Sequence, residues 1–240
     1  MSDLKIVCWK WAPPVGYRSA FTHVQVNNLL SMVGRQYKKP FELVCITDNP
    51  KHISSEVRII PLAEVEQFAH LQSPHGGLNP ACYRRLWMYG EHAKDYIGER
   101  FVSIDLDVVL VDDVTPVWDR PEDFMIWGET LRRTPYNGSM QLMTAGARRQ
   151  VYNDFDPDNS PRDARKAGFD GSDQAWISYK LGPHEKRWTK EDGVFSFRLH
   201  VKPNGGRMPK GARVIFFEGQ VDPWSPFAMK ICPWISEHWR

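Results

Sequence analysis

The sequence predicts an α/β fold: a single domain, residues 1–240, with a mixed, mostly parallel central sheet flanked by helices. Three observations predict it. Short apolar runs rich in Val, Ile, Leu and Phe alternate with segments of helical spacing over the first half of the chain, the pattern of a largely parallel sheet covered on both faces. The 240 residues suffice for one sizeable core, or for two intimately joined halves, 1–113 and 114–240. The composition, 42% hydrophobic and 25% charged, is that of an ordinary globular chain, and no internal repeat is present.

The elements follow in order. Residues 4–11 ("LKIVCWKW") read as a first strand, and 19–37 as a helix, with Phe21, Val24, Asn28 and Met32 at helical spacing. Residues 41–49 ("FELVCITDN") form a second strand ending in a turn, and 57–63 a short third. Residues 81–98 read as a helix with Tyr83, Leu86, Trp87 and Gly90 along one face. A long buried strand is expected over 101–113 ("FVSIDLDVVLVDD"), then strands over 123–129 and 138–146. The polar stretch 154–168, with two prolines, is expected to be a surface loop. Residues 172–182 read as a helix after a Gly turn, and 194–201 and 212–219 as closing strands.

Composition narrows the setting. No apolar run approaches a membrane span and residues 1–11 lack a signal-peptide core. The four cysteines, Cys8, Cys45, Cys82 and Cys232, are widely spaced without a CxxC, which fits a reduced, cytoplasmic chain. Net charge is +2, yet residues 180–213 hold nine Lys/Arg against three Asp/Glu. Such a run is usually a solvated face; the sharper reading is a face for an anionic partner.

The informative feature is Asp105 and Asp107 inside an otherwise apolar strand. Alternation puts both on one side and Leu106 on the other, with Cα atoms roughly 6–7 Å apart. Two carboxylates so placed suit one divalent cation with oxygens at about 2.1 Å; without it they repel and one tends to hold a proton. Ligands of open α/β sheets collect at the carboxyl ends of strands, where this pair would emerge. Four readings stand: a structural pair, which an isolated DxD most often is; a calcium loop, which Val109 and Leu110 exclude by standing where an oxygen ligand and a Gly are required; a haloacid-dehalogenase-type phosphatase, whose first motif "SIDLDVVL" resembles, with Asp105 as nucleophile; and a metal-bound diphosphate.

Five segments in order favour the last: "ITDN" (46–49), "SIDLDVVLVDDVTPVW" (103–118), "YNGSMQLMTAGA" (136–147), "GSDQAWIS" (171–178) and "ARVIFFEGQVDPW" (212–224). On these the chain resembles GT-A-type glycosyltransferases, especially glycosyltransferase family 8 and short bacterial and phage nucleotide-sugar transferases, over nearly its whole length. The resemblance implies a GT-A-like (Rossmann-like) domain and a metal-dependent hexosyl- or pentosyltransferase using a UDP-sugar. It implies Asp105 and Asp107 as ligands of Mn²⁺ or Mg²⁺, Thr47 and Asp48 near the nucleoside and, more loosely, Trp9 and Trp11. Arg84 or Arg85 falls near a basic residue that reaches the donor, Asn137, Gly138 and Ser139 match a turn lining the sugar, and Asp173 and Gln174 match a catalytic pair beside the reacting carbon.

The chain departs from that pattern at its end. Relatives commonly read His-Gly-x-x-Lys-Pro-Trp, the His a metal ligand and the Lys meeting the diphosphate; here Glu218, Gly219 and Asp222 stand at the His, Gly and Lys positions. Glu218 still offers oxygen to a cation, whereas Asp222 would repel phosphate, so either a cation from 202–213 takes over or donor binding is altered. His200 is a further candidate beside the site. Lys202, Arg207, Lys210 and Arg213 surround turn sequences before Glu218 and are the candidate acceptor-binding residues. They tip the acceptor toward an anion, including a hydroxymethylated base of phage DNA that would have to be flipped from its stack. A non-catalytic nucleotide- or glycan-binding module of the same fold is the alternative, and the phosphatase the third.

Overall fold

The structure, a computed structural model, describes residues 3–17, 20–74, 76, 81–128 and 133–240. Ser19 and Glu129, the outer ends of two expected elements, lie outside them. Ten strands run through the described residues: β1 (Leu4–Lys10), β2 (Phe41–Thr47), β3 (Arg58–Pro61), β4 (Arg100–Ile104), β5 (Val108–Leu110), β6 (Phe124–Trp127), β7 (Asn137–Thr144), β8 (Arg187–Trp188), β9 (Val194–Ser196) and β10 (Val214–Phe216).

Seven of them form a mixed sheet in the order β3-β2-β1-β4-β7-β6-β8. The β3-β2-β1-β4 portion is parallel, β7 is antiparallel to β4 and to β6, and β8 is parallel to β6. A small second sheet, β5-β10-β9, has β10 antiparallel to β5 and parallel to β9. The mixed, mostly parallel α/β architecture read from the sequence is therefore present.

Alternation along β1 shows why the sheet is covered on both sides. Ile6 and Cys8 face one apolar cluster, which also holds Val26, Leu29, Met32 and Val33 of the His23–Gln36 helix. Val7 and Trp9 face the other cluster, filled by Tyr83, Leu86, Trp87 and Tyr89. The His23–Gln36 helix starts at a capping box in which the Thr22 side chain and Gln25 satisfy each other's backbone amides.

Four expectations need correction. Residues 81–98 are not one helix but a 3₁₀ segment, Tyr83–Tyr89, and a four-residue turn, Ala93–Tyr96. Six of the seven residues in the first piece are buried, so it lacks the polar face of a surface helix, and it stops at Gly90, where the His92 ring fills the space a Cβ would need. Residues 101–113 are not one strand. β4 ends at Ile104 and the chain resumes as β5 in the second sheet, so the two aspartates occupy the break between sheets. The loop expected over 154–168 carries a helix, Ser160–Lys166, with Pro161 in its first turn, where a missing N–H costs nothing. Residues 194–201 are extended only as far as Ser196. Its Oγ accepts from Leu199 N at 3.0 Å and starts a π-helical turn, Phe197–Val201.

Candidate active site

After β3 the chain returns past β1 to make β4, so the direction of winding reverses between β1 and β4. The crevice at the carboxyl ends of these strands is the switch point at which open α/β sheets hold ligands. Lys10, Thr47 and Ile104 end the strands that border it, and Trp11, Asp48 and Asp105 follow them directly.

Asp48 ties two of these ends together: it accepts from Ala12 N at 2.7 Å and lies 3.7 Å from Lys10 Nζ. Thr47 is buried, its hydroxyl accepting from Asn49 N at 3.1 Å, which shapes the turn. The two tryptophans differ. Trp9 is a core residue within the apolar cluster, whereas Trp11 is half-buried, with the Arg84 guanidinium 4.7 Å from its ring centre. Arg84 is itself anchored on Glu66 at 2.9 Å.

Behind the crevice lies an ion-paired arginine. Arg85 is buried; its Nε donates to Asp173 Oδ2 at 2.9 Å, its Nη2 lies 2.7 Å from the same oxygen, and its Nη1 pairs with Asp105 Oδ1. Burial alone would lower the Arg85 pKa, but Asp105 and Asp173 outweigh it and hold the guanidinium charged. Asp173 opens the Asp173–Leu181 helix, and its Oδ1 accepts from Gln174 N at 2.9 Å. The first-turn amide and the arginine thus occupy different oxygens of one carboxylate. Gln174 donates from Nε2 to Asp170 O at 3.3 Å.

Asn137–Ser139, expected as a turn, is the start of β7 and fits against this pair. Asn137 Oδ1 accepts from Ser139 N at 2.9 Å, and Ser139 O accepts from Asp105 N at 2.8 Å. A Cβ on Gly138 would stand 3.1 Å from Arg85 Nη2 and 3.3 Å from Asp173 Oδ2, so a side chain here would press on the ion pair.

Asp107 lies on the side of the second sheet. Its carbonyl accepts from Phe217 N at 2.8 Å, which brings Glu218 next to it in the chain path. Burial raises the Asp107 pKa well above the usual carboxylate range, and the charges of Asp105, Asp222 and Glu218 raise it further. Burial likewise pushes Glu218 up to about 7 against the opposing pull of Ser196 and Arg198. The Ser196 hydroxyl donates to Glu218 Oε1, while the buried Oε2 has no hydrogen-bond partner.

This donor set suits a hard divalent cation: the oxygens are carboxylate, their charges repel one another, and a buried one is unpartnered. Among the described residues no group of three or more Asp, Glu, His or Cys side chains is placed to hold a metal ion, so the expected trio of Asp105, Asp107 and Glu218 is not brought together as one cluster.

Further out, Lys202, Arg207 and Lys210 are exposed, and a cavity of about 560 Å³ is lined by Asn204, Gly205, Arg207, Met208 and Pro209. Arg213 does not join them: it is half-buried, its Nη1 donating to the carbonyl of Asp113. His200 Nδ1 accepts from Ser196 N at 3.0 Å, a bond within the π-helical turn. Sequence reasoning missed Arg198. Its Nε is 3.7 Å from Glu218 Oε1, and its Nη1 lies 3.6 Å from the Cβ position of Gly219, whose φ is +104°. Read as a strand, "VFSFRLHV" gives Arg198 no distinction from its neighbours; the π-helical turn places it beside Glu218.

No protein-family model matches the chain, and no curated protein does. Solved structures do. The galactosyltransferase LgtC, in complex with donor and acceptor sugar analogs, superposes with a TM-score of 0.57 at 14% identity, covering 98% of this chain and 96% of that one. Mouse xyloside xylosyltransferase 1 gives 0.55 at 14% identity, covering 91% and 98%. The glycosyltransferase GlyE of Streptococcus pneumoniae TIGR4 gives 0.56 at 9% identity, covering 94% of this chain and 58% of that one. No helix among the described residues is long and apolar enough to cross a membrane. At these identities the likeness is one of architecture, and the fold of this chain is that of the GT-A-type glycosyltransferases.

Proposed function

We propose that this chain is a metal-dependent glycosyltransferase that moves a sugar from a UDP-sugar to an acceptor hydroxyl. The observation that carries the reading is the placement of Asp105 and Asp107 at the switch point, with Arg85 and Asp173 packed behind them. LgtC, the neighbour solved with donor and acceptor sugar analogs, shares this architecture.

Asp105 and Asp107, with Glu218 nearby, would hold Mn²⁺ or Mg²⁺. When bound, the cation offsets the negative charge that grows on the departing diphosphate. The chain's own residues do the rest. Trp11 offers a ring for the base, Asp48 fixes the loop beneath it, and Asn137–Ser139 at the start of β7 lines the sugar. Arg85, held by Asp173, keeps Asp105 aimed into the crevice and sets a positive charge under the reacting centre. Asp173 and Gln174 act at the sugar end of the crevice, Asp173 through the arginine it holds. Lys202, Arg207 and Lys210 form the acceptor side, with an anionic acceptor such as a hydroxymethylated base of phage DNA as the fitting class.

A panel of UDP-sugars in a thermal-shift screen, followed by mass spectrometry of candidate acceptors with the stabilising donor, tests the proposal. One donor should raise the melting temperature in Mn²⁺ and yield a product heavier by one sugar. A phosphate trapped on Asp105 with indifference to UDP would instead mark a phosphatase; binding without turnover would mark a binding module.

A further inference from the structure

A diphosphate entering this crevice meets a surplus of carboxylates. Asp105, Asp107, Asp222 and Glu218 all act on one region, and Asp222 is itself buried. One cation shared by two carboxylates leaves phosphate oxygens that need further donors. Most nearby cations already have short partners or are covered. Arg85 lies between Asp105 and Asp173, Arg84 is on Glu66 at 2.9 Å, and Lys10 is only 5% exposed beside Asp48. Of the basic stretch that follows, Arg213 is spent on the Asp113 carbonyl and Lys202 lies 5.8 Å from the Phe227 ring centre.

Arg198 differs. Its side chain is 41% exposed, and its guanidinium stands 3.7 Å from Glu218, beyond hydrogen-bonding distance. It runs along Gly219, which itself places no side chain against the guanidinium. Ser196 fixes it from two sides: its hydroxyl pairs with Glu218, and the same oxygen accepts from Leu199 N to start the turn that carries Arg198. A planar guanidinium with five donors is suited to two phosphate oxygens at once.

Resting on the nucleotide-sugar reading above, we propose that Arg198 is the cation that receives the donor's diphosphate, from the π-helical turn, in place of a basic residue at position 222. Glu218 then has two duties, holding Arg198 in its resting position and turning to the cation when the donor enters.

Calorimetric titration of UDP and of uridine, in Mn²⁺, into wild type, Arg198→Ala, Arg198→Lys and the Arg207→Ala/Lys210→Ala double variant tests this. Loss of a charge-assisted contact should weaken UDP binding by roughly tenfold to a hundredfold in Arg198→Ala. Uridine, which has no phosphate, should bind all variants equally, and Arg198→Lys should recover part of the loss. The melting temperature should stay within a degree or two of wild type, because Arg198 is a surface residue whose ion pair with Glu218 is long. Unchanged UDP affinity in Arg198→Ala, an equal loss for uridine, or a loss confined to the double variant overturns the proposal. If wild type itself fails to bind UDP, the nucleotide-sugar reading falls, and this proposal with it.

Discussion

Arg85 and Asp173 form a buried ion pair, with Arg85 Nε 2.9 Å from Asp173 Oδ2, and Arg85 reaches on to Asp105. A residue at the head of one helix is thereby coupled to the first aspartate of the DxD turn. The other Asp173 oxygen takes the Gln174 amide. Replacement by Asn keeps that cap and removes the charge. Asp173→Asn is expected to cost about 1–3 kcal/mol of stability, less than breaking an isolated buried pair, because Asp105 still faces the guanidinium. The fall in transfer rate per folded molecule should be far larger, with UDP affinity kept. Steady-state kinetics beside denaturant melts separate the two; a stability loss with an unchanged rate reduces Asp173 to a helix cap.

Gly138 tests the same pair from the opposite side. The Cβ of Gly138→Ala would sit 3.1 Å from Arg85 Nη2 and 3.3 Å from Asp173 Oδ2. Overpacking of this kind typically costs about 1–3 kcal/mol. Donor turnover should drop with it, whereas Gly168→Ala, where a Cβ meets nothing within 4 Å, should leave turnover intact and cost only the backbone strain that a side chain meets at its φ of +90°.

The two tryptophans should separate cleanly. Trp9→Ala removes a large core ring and is expected to cost about 3–5 kcal/mol. If the half-buried Trp11 ring under Arg84 serves the base, as proposed, Trp11→Ala should melt near wild type and lose affinity for UDP and uridine alike. Equal stability losses in both variants would assign Trp11 to the core as well.

The acceptor side predicts a salt signature. If Arg207 and Lys210 each contact a phosphate of duplex DNA, the Arg207→Ala/Lys210→Ala variant should flatten the slope of log affinity against log salt by about two, since each contact contributes roughly 0.9. Arg213→Ala should leave that slope untouched, because its guanidinium is held by the Asp113 carbonyl. Filter binding across a salt series decides it; identical slopes would mark Arg207 and Lys210 as solvated surface.

The parts of this fold legible in the sequence are those written in local periodicity. β1, β2, β4 and β7 announce themselves as apolar runs, and the His23–Gln36 helix by helical spacing, although the face read from Phe21, Val24, Asn28 and Met32 is not the buried one: Gln25, Val26, Leu29, Met32 and Val33 are buried and Val24 is exposed. The DxD pair was visible because two charges interrupt such a run. Its true setting was not: whether the chain after Ile104 continues one strand or crosses to another sheet depends on β10, which lies more than a hundred residues away in sequence. The Tyr83–Tyr89 segment misled for the opposite reason, since spacings of three and four residues fit both a 3₁₀ and an α turn, and burial on all sides hides the face that would tell them apart. Arg198 was overlooked because two side-chain bonds, Leu199 N donating to Ser196 Oγ and Ser196 N donating to His200 Nδ1, accompany a π-helical turn where the residue types read as an extended segment.

Release of UDP from the stabilising UDP-sugar, measured with Mn²⁺, with EDTA, and for Asp107→Ala, tests the central claim most directly. The account predicts release in Mn²⁺ that is abolished by EDTA and restored by added metal, and none from an Asp107→Ala protein that still melts cooperatively. Full release in EDTA, or from Asp107→Ala, would contradict it.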